Sequence, residues 1–205
     1  ITTDISDQHF DQLRREFSGL PIQIRFIQTD ACALERIQDN TIDIIVCNYT
    51  LCAINSQNGL AFLALRRFWD VLKPGGSLFV EEEMPITCAI NPAQMIWSTK
   101  WRILRAAQLL ANSPQYSEFQ PKTLAEMCKI TGFDQIEWQT DITLFQEENV
   151  LDFFHKRLNG LIPQLPNDAL QMGFKEAAAK LDKEASQAGG MEIPFYRLSA
   201  RKTQK

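Results

Sequence analysis

Three polar residues stand where apolar runs of this chain end: Asp4 after "ITT", Asp30 after "IRFIQT" and Asn48 after "IDIIVC". In an open parallel sheet, ligands bind at the carboxyl ends of strands, beside the point where strand order reverses. A carboxylate after one such strand can accept from both hydroxyls of a ribose at once. An acid after the next suits an exocyclic amine such as adenine N6, and an amide after the third can bond a polar head group or backbone. Each residue alone is as ordinary as a turn residue or helix cap. Three in register predict one shared cleft.

The elements that would position them follow from periodicity. "ITTDIS" reads as a short strand with Ser6 at a helix-cap position, and "DQHFDQLRREF" carries Phe10, Leu13 and Phe17 at helical spacing. "IRFIQTDA" is a second strand, and "LERIQDNT" is a polar connection with room for a short helix. Ile42 to Cys47 is nearly all apolar and β-branched, the signature of a strand inside a parallel sheet. "NGLAFLALRRFWDVL" is helical, "KPGG" breaks it, and "SLFVEEEMP" is the next strand. The alternation predicts right-handed crossovers and a parallel sheet covered on both sides.

The rhythm then changes. "NPAQMIWSTKWRILRAAQLLAN" is a long helix with Trp97, Trp101 and Leu104 along one stripe. "QPKTLAEMCKITGF" is a shorter one, with Pro121 near its start and Gly132 past its end. "DQIEWQTDITLF" reads as a strand, "VLDFFHKRLNGLI" as a helix, and Asn167 can cap a long helix over "DALQMGFKEAAAKLDKEASQAG". "FYRLSAR" is the last strand. No linker composition interrupts residues 1–205, which predicts a single domain with a helical elaboration over 85–120.

Composition narrows the function classes. The chain has 205 residues, 45% of them hydrophobic, and a net charge of -4 from 21 basic and 25 acidic residues. That balance offers no basic face for nucleic acid. No apolar run reaches the roughly 20 residues a bilayer span needs, and Asp4, Asp7 and Asp11 spoil a signal peptide. Five cysteines, Cys32, Cys47, Cys52, Cys88 and Cys128, form no C-x-x-C pair and read as reduced, mostly buried thiols of a cytoplasmic protein. With only His9 and His155 present, no metal site is expected.

Taken in order, "ITTDIS", "IQTDA", "IDIIVCNYTLCAI" and "FWDVLKPGGSLFVEEEMP" resemble the successive motifs of class I S-adenosylmethionine-dependent methyltransferases. The late "PKTLAEMCKITGF" helix with its strand, and "FYRLSAR", resemble that family's sixth and reversed seventh strands. The resemblance implies a Rossmann-like α/β sheet, mostly parallel with an antiparallel last strand and helices on both faces. It also implies S-adenosylmethionine as cofactor and methyl transfer to a small molecule. Asp4, with Ile5 beside it, would hold the ribose hydroxyls. Asp30 would accept from the adenine amine, Ala31 would offer its backbone amide, and Asn48 with Tyr49 would lie near the methionine moiety.

The family also places a first strand and a glycine-rich loop ahead of "ITTDIS", and all nine glycines here lie at or after Gly19. That strand is central in the family, so without it the sheet should have a gap at its middle with unpaired edges. The expectation is a C-terminal part of a longer protein, or a chain completed by another segment. Many family members carry histidine where Cys52 stands, and no catalytic base is evident. His9 and His155 read as surface residues, whereas one of Glu81, Glu82 and Glu83 could face substrate. Met84, Trp97, Trp101, Tyr116 and Phe119 could line an apolar chamber for a planar or lipophilic molecule, although the tryptophan spacing equally suits core packing. Expected partners are therefore a small-molecule substrate, with a homodimer left open, and neither nucleic acid nor membrane. Two other readings compete: a non-catalytic methyltransferase-like subunit acting by protein binding, and a nicotinamide-dependent oxidoreductase. The second leaves Asp30 and "LKPGG" unexplained.

Overall fold

The structure is a computed structural model and describes residues 1–56, 59–146 and 150–204. Its elements run β1 (Thr2–Asp4), α1 (Phe10–Glu16), β2 (Phe26–Gln28), β3 (Ile42–Asn48), α2 (Leu51–Asn55), α3 (Ala61–Val71) and β4 (Leu72–Glu83). They continue with α4 (Pro92–Leu110), α5 (Pro121–Thr131), β5 (Phe133–Phe145), α6 (Asp152–Leu161), α7 (Asp168–Ala188) and β6 (Met191–Lys202). Asn58, at the head of the expected "NGLAFL" helix, lies outside the described residues.

Local chemistry accounts for several of these limits. In α3 the buried residues Ala61, Ala64, Leu65, Phe68 and Val71 recur at helical spacing, which gives the helix one apolar stripe. Pro121 opens α5, and Gly132 ends it at φ 113°, a conformation that favours glycine. The Asn167 side chain accepts from the Leu170 N–H at 3.0 Å and so caps α7. His9, not Ser6, stands at the N-cap of α1 and gives no side-chain bond. Over 34–41 no helix forms. Arg67 of α3 donates instead to the carbonyls of Ala33, Leu34 and Ile37 and pairs with Asp39, which holds the connection as turns.

The sheet differs from expectation. β1 and β2 make a separate parallel pair, and a second sheet runs β3-β4-β6-β5. Only β3 and β4 are parallel in the larger sheet; β6 runs antiparallel to both β4 and β5. The sheet is therefore mixed rather than mostly parallel, because the late hairpin supplies half its strands. β1 pairs only with β2, and β3 only with β4, so each keeps one edge without a strand partner among the described residues.

Helices do not cover both faces evenly. On one face Leu78, Val80, Leu198 and Ala200 pack with α3 and α5 residues such as Leu65, Phe68, Leu124 and Cys128. Burying a side chain of this kind stabilises by about 1.5–3 kcal/mol. The opposite face is bare at its centre: Ile44 is 59% exposed, Val46 66% and Phe79 44%. A helical layer covers only one end of that face, where Trp97, Leu104, Phe154, Leu158 and Leu181 form a second core with Met191. The elaboration anticipated over 85–120 is thus only part of a layer to which α6 and α7 also belong. Among the described residues, no helix is long and apolar enough to cross a membrane.

Candidate active site

The parallel pairing of β1 with β2 sets Asp4 opposite Gln28, two residues before Asp30, at the same end of the two strands. Both acids are exposed there. Asp4 Oδ1 accepts from the Ser6 N–H and Asp30 Oδ1 from the Cys32 N–H, each at 2.8 Å. These short turns use one oxygen of each carboxylate and fix its rotamer. The second oxygen of each has no partner among the described residues and can accept from a nucleoside hydroxyl or amine. Ile5 is exposed beside Asp4, and Ala31 is half-buried after Asp30. These acceptor oxygens suit the hydroxyls and amine of the adenosine half of S-adenosylmethionine. Nothing in this stretch offers the close backbone approach that glycine gives to the methionine half.

At the end of β3 the chain turns sharply. Tyr49 has φ 51°, rare for a residue with a side chain, so the turn holds local strain of the kind found at binding sites. Its N–H donates to the Glu81 carbonyl and its hydroxyl to Glu81 Oε1 at 2.7 Å. Glu82, fully buried, accepts from the Leu51 N–H at 2.7 Å and so holds the first turn of α2. Burial raises the Glu82 pKa to about 7. Burial and the nearby Glu82 charge push the Cys52 thiol well up, which keeps it protonated and no general base. Asn48 is exposed at the strand end.

Tyr49 and Cys52 open onto a cavity of about 560 Å³, lined also by Glu83, Lys100, Trp101, Tyr116, Glu118, Phe145 and Phe153. The Trp101 ring meets those of Tyr116 and Phe153 edge-on at 5.3 and 6.1 Å. Glu83 Oε2 accepts from both the Trp97 and Trp101 indole N–H groups at 2.6 Å. Glu118 is ion-paired to Arg105.

Of the residues anticipated for the acceptor, Trp101 and Tyr116 line this chamber. Trp97 is wholly buried in the second core and reaches the wall only through Glu83. Met84 is half-buried against both cores, and Phe119 packs in the first. His9 is exposed on the first helix, and His155 bonds Asp182 at 2.7 Å on the helical layer, so neither lines the chamber. Sequence reasoning missed Lys100. Its place four residues after Ile96 on a buried stripe was the available signal, since a lysine there needs a polar reason.

A family described as a methyltransferase domain matches residues 1–76. The Homo sapiens thiol S-methyltransferase TMT1A is 26% identical over 78 residues, which are 38% of this chain and 28% of that protein. A Bacillus halodurans protein named as a methyltransferase shares the fold at 15% identity and a TM-score of 0.59, over 98% of this chain and 81% of its own. The Haemonchus contortus phosphoethanolamine N-methyltransferase 2 bound to S-adenosyl-L-methionine does so at 16% identity and a TM-score of 0.51, over 98% and 43%. At such identities the solved structures speak for the fold, and the sequence match for the strands that carry Asp4, Asp30 and Asn48. Residues 1–76 thus resemble a methyltransferase domain, and the fold of the described residues is shared with proteins named as methyltransferases.

Proposed function

We propose that these residues form the adenosine side and the acceptor chamber of an enzyme that methylates a small molecule. When bound, S-adenosylmethionine supplies an electrophilic methyl group on a sulfonium. Asp4 accepts from the ribose hydroxyls and Asp30 from the adenine amine, each through its second carboxylate oxygen. Asn48 and Tyr49 flank the methionine end. The chamber beyond Tyr49 holds the acceptor, and its apolar walls exclude water. The observation that carries this reading is the meeting of Tyr49, just after β3, and Cys52, in α2, with that chamber.

The reading includes a completing segment. A strand seated between β1 and β3 would pair both free edges, and a glycine-rich loop after it would approach the methionine half. We place that segment outside these residues, in the same polypeptide or in a second one. Calorimetry with S-adenosylmethionine should then show binding in the protein that includes the strand and loop, and none in the 205 residues alone. In the complete form, Asp30→Asn should weaken binding by about tenfold. Binding of NADH in place of the sulfonium cofactor would overturn the assignment.

The bare centre of the sheet favours a second reading, a non-catalytic subunit that acts by covering a partner. Ile44, Val46 and Phe79 give that face the apolar surface such a contact needs. Cofactor binding without turnover of any acceptor by the completed protein would select it.

A further inference from the structure

We infer that Glu83 and Lys100 form a donor–acceptor pair that selects a neutral, flat acceptor bearing one weakly acidic X–H group, a phenol or an arylmethanethiol. The inference rests on the proposed methyl-transfer site and names what its chamber takes. Lys100 is 5% exposed and lines the cavity. Its contact there is the Trp101 ring, with Nζ at 4.9 Å from the centroid. It makes no salt bridge or side-chain hydrogen bond among the described residues, so all three ammonium donors await an acceptor. A buried ammonium without such a partner is costly. Burial pulls its pKa below the ordinary lysine value, and the Glu83 charge opposes that.

Glu83 supplies the complement. Both indole N–H groups converge on Oε2, which locks the carboxylate, and Oε1 is left without a donor among the described residues. The remaining charge on the wall, Glu118, is neutralised by Arg105. The lining is therefore close to electrically balanced, and a full charge on the ligand would meet one of the two facing groups with the wrong sign. A neutral X–H group avoids that. Its hydrogen points to Glu83 Oε1 and its lone pair accepts from Lys100 Nζ. Trp101, Tyr116 and Phe153 supply the aromatic wall against which a planar body packs.

Calorimetry on the natural protein without cofactor tests this, with 2-naphthol, 2-naphthylmethanethiol, 2-naphthoate and 2-naphthylmethylammonium as probes. The naphthol or the thiol should bind, and each charged analogue should bind at least about tenfold more weakly. Lys100→Met and Glu83→Gln should each weaken the neutral probe by about tenfold. Lys100→Met leaves the indole bonds to Glu83 in place and so remains informative should Glu83→Gln unfold the chamber. Equal or tighter binding of the carboxylate or the ammonium, no binding of either neutral probe, or an unchanged affinity in Lys100→Met overturns the inference. Failure of S-adenosylmethionine to bind while the neutral probes do would sink the methyl-transfer reading and leave this one standing.

Discussion

The two faces of the four-stranded sheet are built from alternate residues of the same strands, yet they live in different surroundings. Leu78, Val80 and Glu82 face α3 and α5 and are buried, while Phe79 lies nearly half open and Glu81 is bonded at the surface by Tyr49 and Arg197. Strand periodicity places alternate side chains on opposite faces, but only a covering layer decides what each side is worth. Neighbouring residues of β4 therefore make opposed predictions.

The largest effect should come from truncating across the pleat. Leu78→Ala should cost about 2–5 kcal/mol in urea unfolding. Phe79→Ala next to it should cost less than about 1 kcal/mol in these residues alone, because its ring is already wet. Covering that face with a packed layer should raise the Phe79 cost toward that of Leu78. Equal costs without that layer would break the comparison.

The paired glutamates sharpen it through pH. Glu82 has a folded pKa near 7, above the ordinary 4.5, because burial penalises its charge. Its contribution is fully present below about pH 4.5 and is lost as pH rises through 7. The loss amounts to roughly 3 kcal/mol. Measured against Glu82→Gln, the wild type should therefore lose relative stability across that window. Glu81 should do the reverse and by less. Burial raises its pKa, but the bonds from Tyr49 and Arg197 outweigh that and leave it below 4.5. Its contribution, under about 1 kcal/mol for so open a pair, is present above pH 4.5 and lost as pH falls through the lowered value. Added salt should erode the Glu81 effect and leave that of Glu82.

Much of this arrangement was legible in the residues. "ITTD" and "IQTDA" do form adjacent parallel strands whose acids reach the same rim, and Asn167, Pro121 and Gly132 mark helix limits where their chemistry requires. What periodicity could not tell was which apolar strand lacks a neighbour. Ile42–Cys47 reads as doubly buried, yet Ile44 and Val46 are exposed, because burial belongs to the assembly and not to the strand. The chamber was legible only in its aromatic residues. Lys100 and Glu83 lie on different elements, and the convergence of two indoles on one carboxylate oxygen is a tertiary fact that no spacing announces.

One feature of the topology bears on how the molecule comes into being. β6, the last strand described, sits between β4 and β5 and donates its backbone to both. During synthesis the two strands that flank it emerge first and have nothing to join them. On the ribosome β4 and β5 must wait as a pair of open templates until the residues up to Lys202 clear the exit tunnel. Such long-range closure slows folding and leaves unpaired backbone edges on offer in the meantime. Nascent copies of this chain should accordingly depend on a holding chaperone more than its modest length suggests.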